Sequence, residues 1–123
     1  MMKIKFMYYD KSVCRRCKTS DRNVSKAVRD LKSAMRVAGE KVVFRQTRLP
    51  LSKIHLSPSI TINGRDIESI VSGKKKLKSN SCKDCCRKAG RPVECRKFTY
   101  RGKSYDYIPK ALIKEAMGRM ADR

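Results

Sequence analysis

A chain of 123 residues has the length of one domain, and 40% apolar residues supply one modest core, filled by Ile, Val, Leu and Met because Trp is absent. With 32 Lys and Arg against 11 Asp and Glu, the net charge of +21 is carried by both halves of the chain, which excludes a basic tail and attracts polyanions whatever the fold. No apolar run is long enough for a membrane span, and the chain opens on an alternating segment rather than a signal peptide, so the sequence predicts a cytoplasmic protein with no membrane partner.

Residues 3–9 alternate, with Ile4, Phe6 and Tyr8 on one face and Lys3, Lys5 and Met7 on the other, as a strand requires. From Ser20 to Ala38 the apolar residues Val24, Ala27, Val28, Leu31, Ala34, Met35 and Ala38 make one helical stripe. Thr19, Ser20 or Asp21 can cap its start, and Gly39 suits its end. Val42, Val43 and Phe44 predict a short buried strand, which completes a right-handed βαβ unit with parallel strands. Ile60 and Ile62 then alternate with small polar residues before Asn63-Gly64, a strong two-residue hairpin signal. A last helix follows Pro109, with Ile108, Leu112, Ala116 and Met120 repeating every fourth residue. Between hairpin and helix lies an insertion over 72–107. It holds the run Lys74-Lys75-Lys76-Leu77-Lys78, read as a solvated loop, a cysteine-rich loop, and a small hairpin around Arg101-Gly102. The expected architecture is α/β, ordered βαβ-ββ-α, in a single domain over 1–123.

Six cysteines in a cytoplasmic chain point to redox or metal chemistry before structural disulfides; three bridges would be the secreted alternative. Cys14 and Cys17 stand between the first strand and the first helix. A thiol there faces the positive end of the helix dipole, and Arg15, Arg16 and Lys18 add charge that tunes it toward thiolate, the nucleophile of disulfide exchange. Cys14 is then the attacking thiol and Cys17 the resolving one, with half of a structural metal site as the alternative. The second group, Cys82, Cys85, Cys86 and Cys95, offers thiolates for zinc or another thiophilic ion, copper(I) or an iron–sulfur centre. Adjacent Cys85 and Cys86 do not easily face one ion, so a site shared with Cys14 or Cys17 is a further arrangement. Disulfide or relay thiols, and inert buried thiols without metal, are the competing readings. His55 is assigned no role, Asp10, Asp66 and Glu68 are too scattered for a carboxylate pair, and Tyr100, Tyr105 and Tyr107 read as packing beneath the hairpin.

Ser57-Pro58-Ser59-Ile60-Thr61-Ile62-Asn63-Gly64 resembles the proline loop and strand of glutaredoxins, and the element order is that of the thioredoxin superfamily. The resemblance implies that Pro58 is a cis-proline packed beside the Cys14–Cys17 pair. Glu68-Ser69 replaces the Gly-Gly pair that helps glutaredoxins hold glutathione, and Arg15-Arg16 replaces the Gly-Pro or Pro-Tyr between the thiols, so the resemblance by itself does not imply glutathione binding or general disulfide reductase activity. Nearly the whole chain is similar to an uncharacterised thioredoxin-like family. The matching residues are Cys14, Arg16 and Cys17; Ile62 to Glu68; Ser81 to Cys86; Cys95-Arg96; and Tyr105 to Pro109.

Three functions are therefore expected in order. The first is thiol–disulfide exchange through Cys14, Cys17 and Pro58 with a protein dithiol or disulfide partner, which an acidic surface would suit; as an enzyme it would be a thiol–disulfide oxidoreductase. The second is metal binding through the later cysteines. The third is sequence-independent binding of nucleic acid by the basic surface.

Overall fold

A computed structural model describes residues 1–73 and 77–121. Strand β1 (Met2–Tyr8) leads into helix α1 (Arg15–Val37), which returns to β2 (Val42–Arg48). A 3₁₀ turn (Leu51–Leu56) precedes β3 (Ser59–Ile62) and β4 (Arg65–Asp66). These strands form one sheet in the order β2-β1-β3-β4, with β1 parallel to β2 and antiparallel to β3. Asn63 and Gly64, both at positive φ, make the tight turn that joins β3 to β4.

The side-chain alternation of β1 decides which face of the sheet is covered. Met2, Ile4 and Phe6 point into a core with Ile60 and Ile62 of β3, while Lys3 and Lys5 stay exposed on the opposite face. Val24, Ala27 and Val28 of α1 cover that core together with Leu112, Ile113, Ala116 and Met117 of α4 (Lys110–Ala121). Pro109 lies just before α4, where its carbonyl accepts the first helical bond from Ile113 N–H. Gly39, at φ 74°, ends α1, and its N–H reaches the carbonyl of Arg36.

Several boundaries differ from expectation. Helix α1 starts at Arg15 with Cys14 at its N-cap, not near Ser20, because the Asp10 carbonyl accepts Cys14 N–H and the Cys14 carbonyl accepts Lys18 N–H. Strand β2 is an edge strand with Val42, Val43 and Phe44 only half buried, since no strand covers its outer side. A short helix α2 (Ile67–Ser72) follows β4 directly, capped by the Asp66 carboxylate.

The inserted region is more ordered than a loop. Strands β5 (Lys78–Ser81), β6 (Glu94–Tyr100) and β7 (Lys103–Tyr105) form an antiparallel ribbon, and α3 (Lys83–Ala89) fills the β5–β6 connection. Lys78 lies in β5, whereas Lys74, Lys75 and Lys76 lie outside the described residues. Phe98 of β6 and Ile108 join the main core, so the ribbon is seated on the sheet domain. Among the described residues no helix is long and apolar enough to cross a membrane.

Candidate metal centre

The turn after β1 is set by one carboxylate. Asp10 accepts hydrogen bonds from Ser12 N–H (2.9 Å), Ser12 O–H (2.6 Å) and Val13 N–H (3.1 Å). The Ser12 hydroxyl is the main cause that holds its pKa below the ordinary value, against the effect of burial. This turn places Cys14 at the N-cap of α1 and turns its side chain inward, fully buried.

Three further thiols meet Cys14 there. Cys82 is the N-cap residue of α3, Cys85 lies in the first turn of that helix, and Cys95 sits on β6 opposite Asn80. The Sγ atoms of Cys14, Cys82, Cys85 and Cys95 all lie within 4.8 Å of one another, and all four residues are buried. Cys14 Sγ and Cys82 Sγ are 3.8 Å apart. Thiolate–zinc bonds of ~2.3 Å give a tetrahedron with S···S edges of ~3.8 Å, so one edge already has that length and the others need close only slightly. None of the six cysteines is in a disulfide.

Cys86 falls outside the quartet, and Cys14 takes the place expected for it. Successive helical residues point about 100° apart, so when Cys85 faces inward its neighbour cannot. Cys86 Sγ instead accepts from Val93 N–H and donates to Val93 C=O, both at 3.3 Å, and it is the one cysteine that is not fully buried. Cys17 is also outside the quartet, with its Sγ 3.0 Å from Ser57 Oγ.

The thiols of the cluster share protons unequally. Cys82 has its pKa strongly lowered because Cys14, Cys85 and Cys95 surround its sulfur with S–H donors. Contact with Cys17 favours the Cys14 thiolate, but Cys82, Cys85 and burial oppose it, and the thiol is pushed up to about 12. Cys95 is raised by Cys14, Cys82 and Cys85, and Cys17 by Cys14 and burial. The exposed, acidic thiol expected at Cys14 is thus replaced by a buried one that holds its proton more tightly than an ordinary thiol.

The two arginines between the thiols divide. Arg15 is exposed, and its backbone N–H donates to Asp84 of α3 at 3.0 Å. The Arg16 guanidinium turns toward the ribbon, where it binds Asn80 Oδ1 and the carbonyls of Ser81, Cys95 and Arg96, with Asp106 at 3.9 Å. Arg16 therefore clamps the strands that carry the cluster.

A second polar constellation escaped sequence reasoning. Arg96, fully buried on β6, makes a two-pronged bond to Asp66 (2.6 Å twice) and reaches Glu68 and Ser59 at 3.2 Å. Its guanidinium lies 4.4 Å from the centre of the Phe98 ring, and Glu68 also accepts Thr99 N–H. Asp66 and Glu68, read as scattered, converge on one cation from 28–30 residues away. Ser57 joins this region to the cluster: its carbonyl accepts Arg96 N–H at 2.7 Å and its hydroxyl accepts Tyr9 N–H at 2.9 Å. The Ser57–Pro58 peptide bond is cis. His55 is exposed, and Tyr105 packs edge-on against Tyr107.

Comparison with curated proteins finds no match, and comparison with solved structures finds none either. A family model described as a domain of unknown function (DUF2703) matches residues 2–117, a span that takes in both cysteine groups, and the chain belongs to that family.

Proposed function

We propose that this protein binds a single thiophilic metal ion, zinc or a soft ion such as copper(I), through Cys14, Cys82, Cys85 and Cys95. The observation that carries the reading is the convergence of four buried thiols from three separate segments. Four sulfurs suit a soft or borderline cation and no hard one, and a cation would replace the protons that now crowd these sites. Because no ligand position is left over for water or substrate, the site fits a structural or carrier role. Protein purified without chelator should carry about one equivalent of metal by elemental analysis, and Cys82→Ser should lose it. Metal-free protein that also fails to take up added zinc or copper(I) overturns the reading.

A second reading, thiol–disulfide exchange, is favoured by the contact of Cys17 with Cys14 and with Ser57, the residue before cis Pro58. The sheet order β2-β1-β3-β4, with its parallel β1–β2 pair, supports a thioredoxin-like assignment of the fold. In this reaction the site must first open to the partner and Cys14 must lose its proton to solvent; its sulfur then attacks a protein disulfide and expels one partner thiolate. Cys17 then attacks Cys14 Sγ, expels the second, and leaves a Cys14–Cys17 bridge as the partner is reduced. The two readings compete for one sulfur, since oxidised Cys14 cannot hold an ion. Treatment of metal-loaded protein with oxidised glutathione should release metal in step with a Cys14–Cys17 bridge in the peptide map. A bridge confined to residues 82–95 removes the exchange reading and leaves the metal reading intact.

A further inference from the structure

Helix α1 carries eight cations; Arg16 is half-buried against the ribbon, and the other seven, Arg15, Lys18, Arg22, Lys26, Arg29, Lys32 and Arg36, are all exposed. Successive members are three or four residues apart. At about 100° per residue they occupy an arc of roughly 120°, and at about 1.5 Å per residue the stripe runs ~32 Å without a gap longer than one turn. The two acids of α1 lie at the flanks and are engaged elsewhere: Asp21 with Lys11 at 3.6 Å, and Asp30 with Lys114 and Lys110 at 3.0 and 4.0 Å. Among the described residues none of the seven side chains makes an ion pair within 4.0 Å, and the one nearby acid that feels them, Asp30 beside Arg29, is already held by Lys114 and Lys110. A row of unneutralised like charges costs the folded protein free energy through mutual repulsion, which a polyanion would relieve.

We propose that this outer face of α1 docks on the phosphate backbone of double-stranded nucleic acid, independently of sequence. A duplex offers a regular line of about one charge per 1.7 Å of axis, which matches a long, evenly spaced row of cations. The other residues in the same arc are small and polar, Ser25 and Ser33, so the face itself has no apolar wedge for a lipid surface; Val24, Ala27 and Val28 face the core, and the exposed Val37 is a single side chain at the helix end outside the arc. It has no aromatic side chain on which single-stranded bases would stack. The surface is separate in chemistry from the cysteine quartet and does not depend on its occupancy.

Fluorescence anisotropy of a labelled 24-base-pair duplex, titrated over a salt series, tests the proposal. If all seven cations engage, log affinity against log salt should have a slope near about −6. The triple variant Arg22→Gln, Lys26→Gln, Arg29→Gln should flatten the slope by about 3 and weaken binding at 0.1 M salt by about 100-fold or more. The control Arg65→Gln, Arg91→Gln, Lys103→Gln removes equal charge from exposed sites outside α1 and should weaken it less than about 10-fold. Equal losses in the two triple variants would overturn the proposal, because binding would then follow net charge alone. So would tight binding to phosphatidylserine vesicles without binding to the duplex. Circular dichroism and metal content of both variants show whether the fold is kept.

Discussion

The protein has two interiors built from different materials. Between the sheet and helices α1 and α4 the packing is aliphatic, with Ile4, Ile60, Ile62, Leu112 and Ile113 fully buried. Each such side chain contributes about 1.5–3 kcal/mol through area alone, so this interior needs no partner. The other interior holds Cys14, Cys17, Cys82, Cys85 and Cys95 with only Tyr9 and Ile54 buried among them. A thiol buries little surface, so its order must come from polar links: the Arg16 clamp, the Ser57 hydrogen bonds and, under the proposed function, a bound ion. The contrast teaches that one chain can keep a self-sufficient core beside a conditional one.

Arg96 spans the boundary, and its loss should have the largest effect. Arg96→Ala would leave Asp66 and Glu68 without their cation, which costs about 3–5 kcal/mol for a buried pair. Denaturant unfolding should show a lower midpoint, and both interiors should lose hydrogen-exchange protection. Retained stability would mean that the two interiors are not coupled through this residue.

Cys95→Ser sharpens the comparison. It should abolish stoichiometric metal binding and lower protection over residues 78–100, while amides of β1 and β3 stay protected against exchange. Cooperative loss of both regions would show that the aliphatic interior depends on the sulfur one. The smallest effect is expected for Cys86→Ser, since a hydroxyl can keep both bonds to Val93; metal content should be unchanged and stability altered by about 1 kcal/mol or less. In the unmodified protein, brief alkylation should mark Cys86 first, because the other five thiols are buried.

What the sequence disclosed follows from range. The strand over 3–9, the apolar stripe of α1 and the Asn63-Gly64 turn depend on neighbours within a few residues, and all three are present. Helices α2 and α3 span six and seven residues, too few for a periodic signal to stand out. The meeting of Cys14 with Cys82 spans 68 residues, and the Arg96 bonds to Asp66 and Glu68 span about thirty. Spacing could say that Cys85 and Cys86 would not both face an ion, but not which one would turn away.

The placement of Cys86 bears on how the protein must be assembled. In the unfolded chain Cys82, Cys85, Cys86 and Cys95 lie within 14 residues, whereas Cys14 is 68 residues from Cys82. Closing the longer loop costs about 1.5–2 kcal/mol more chain entropy, so on the proposed metal-binding function an ion offered before folding meets the wrong four sulfurs first. Such premature capture stabilises the unfolded chain and offsets the gain from native binding. Refolding in the presence of excess ion should therefore be slower and less complete than refolding under reducing, chelated conditions with the ion added afterwards.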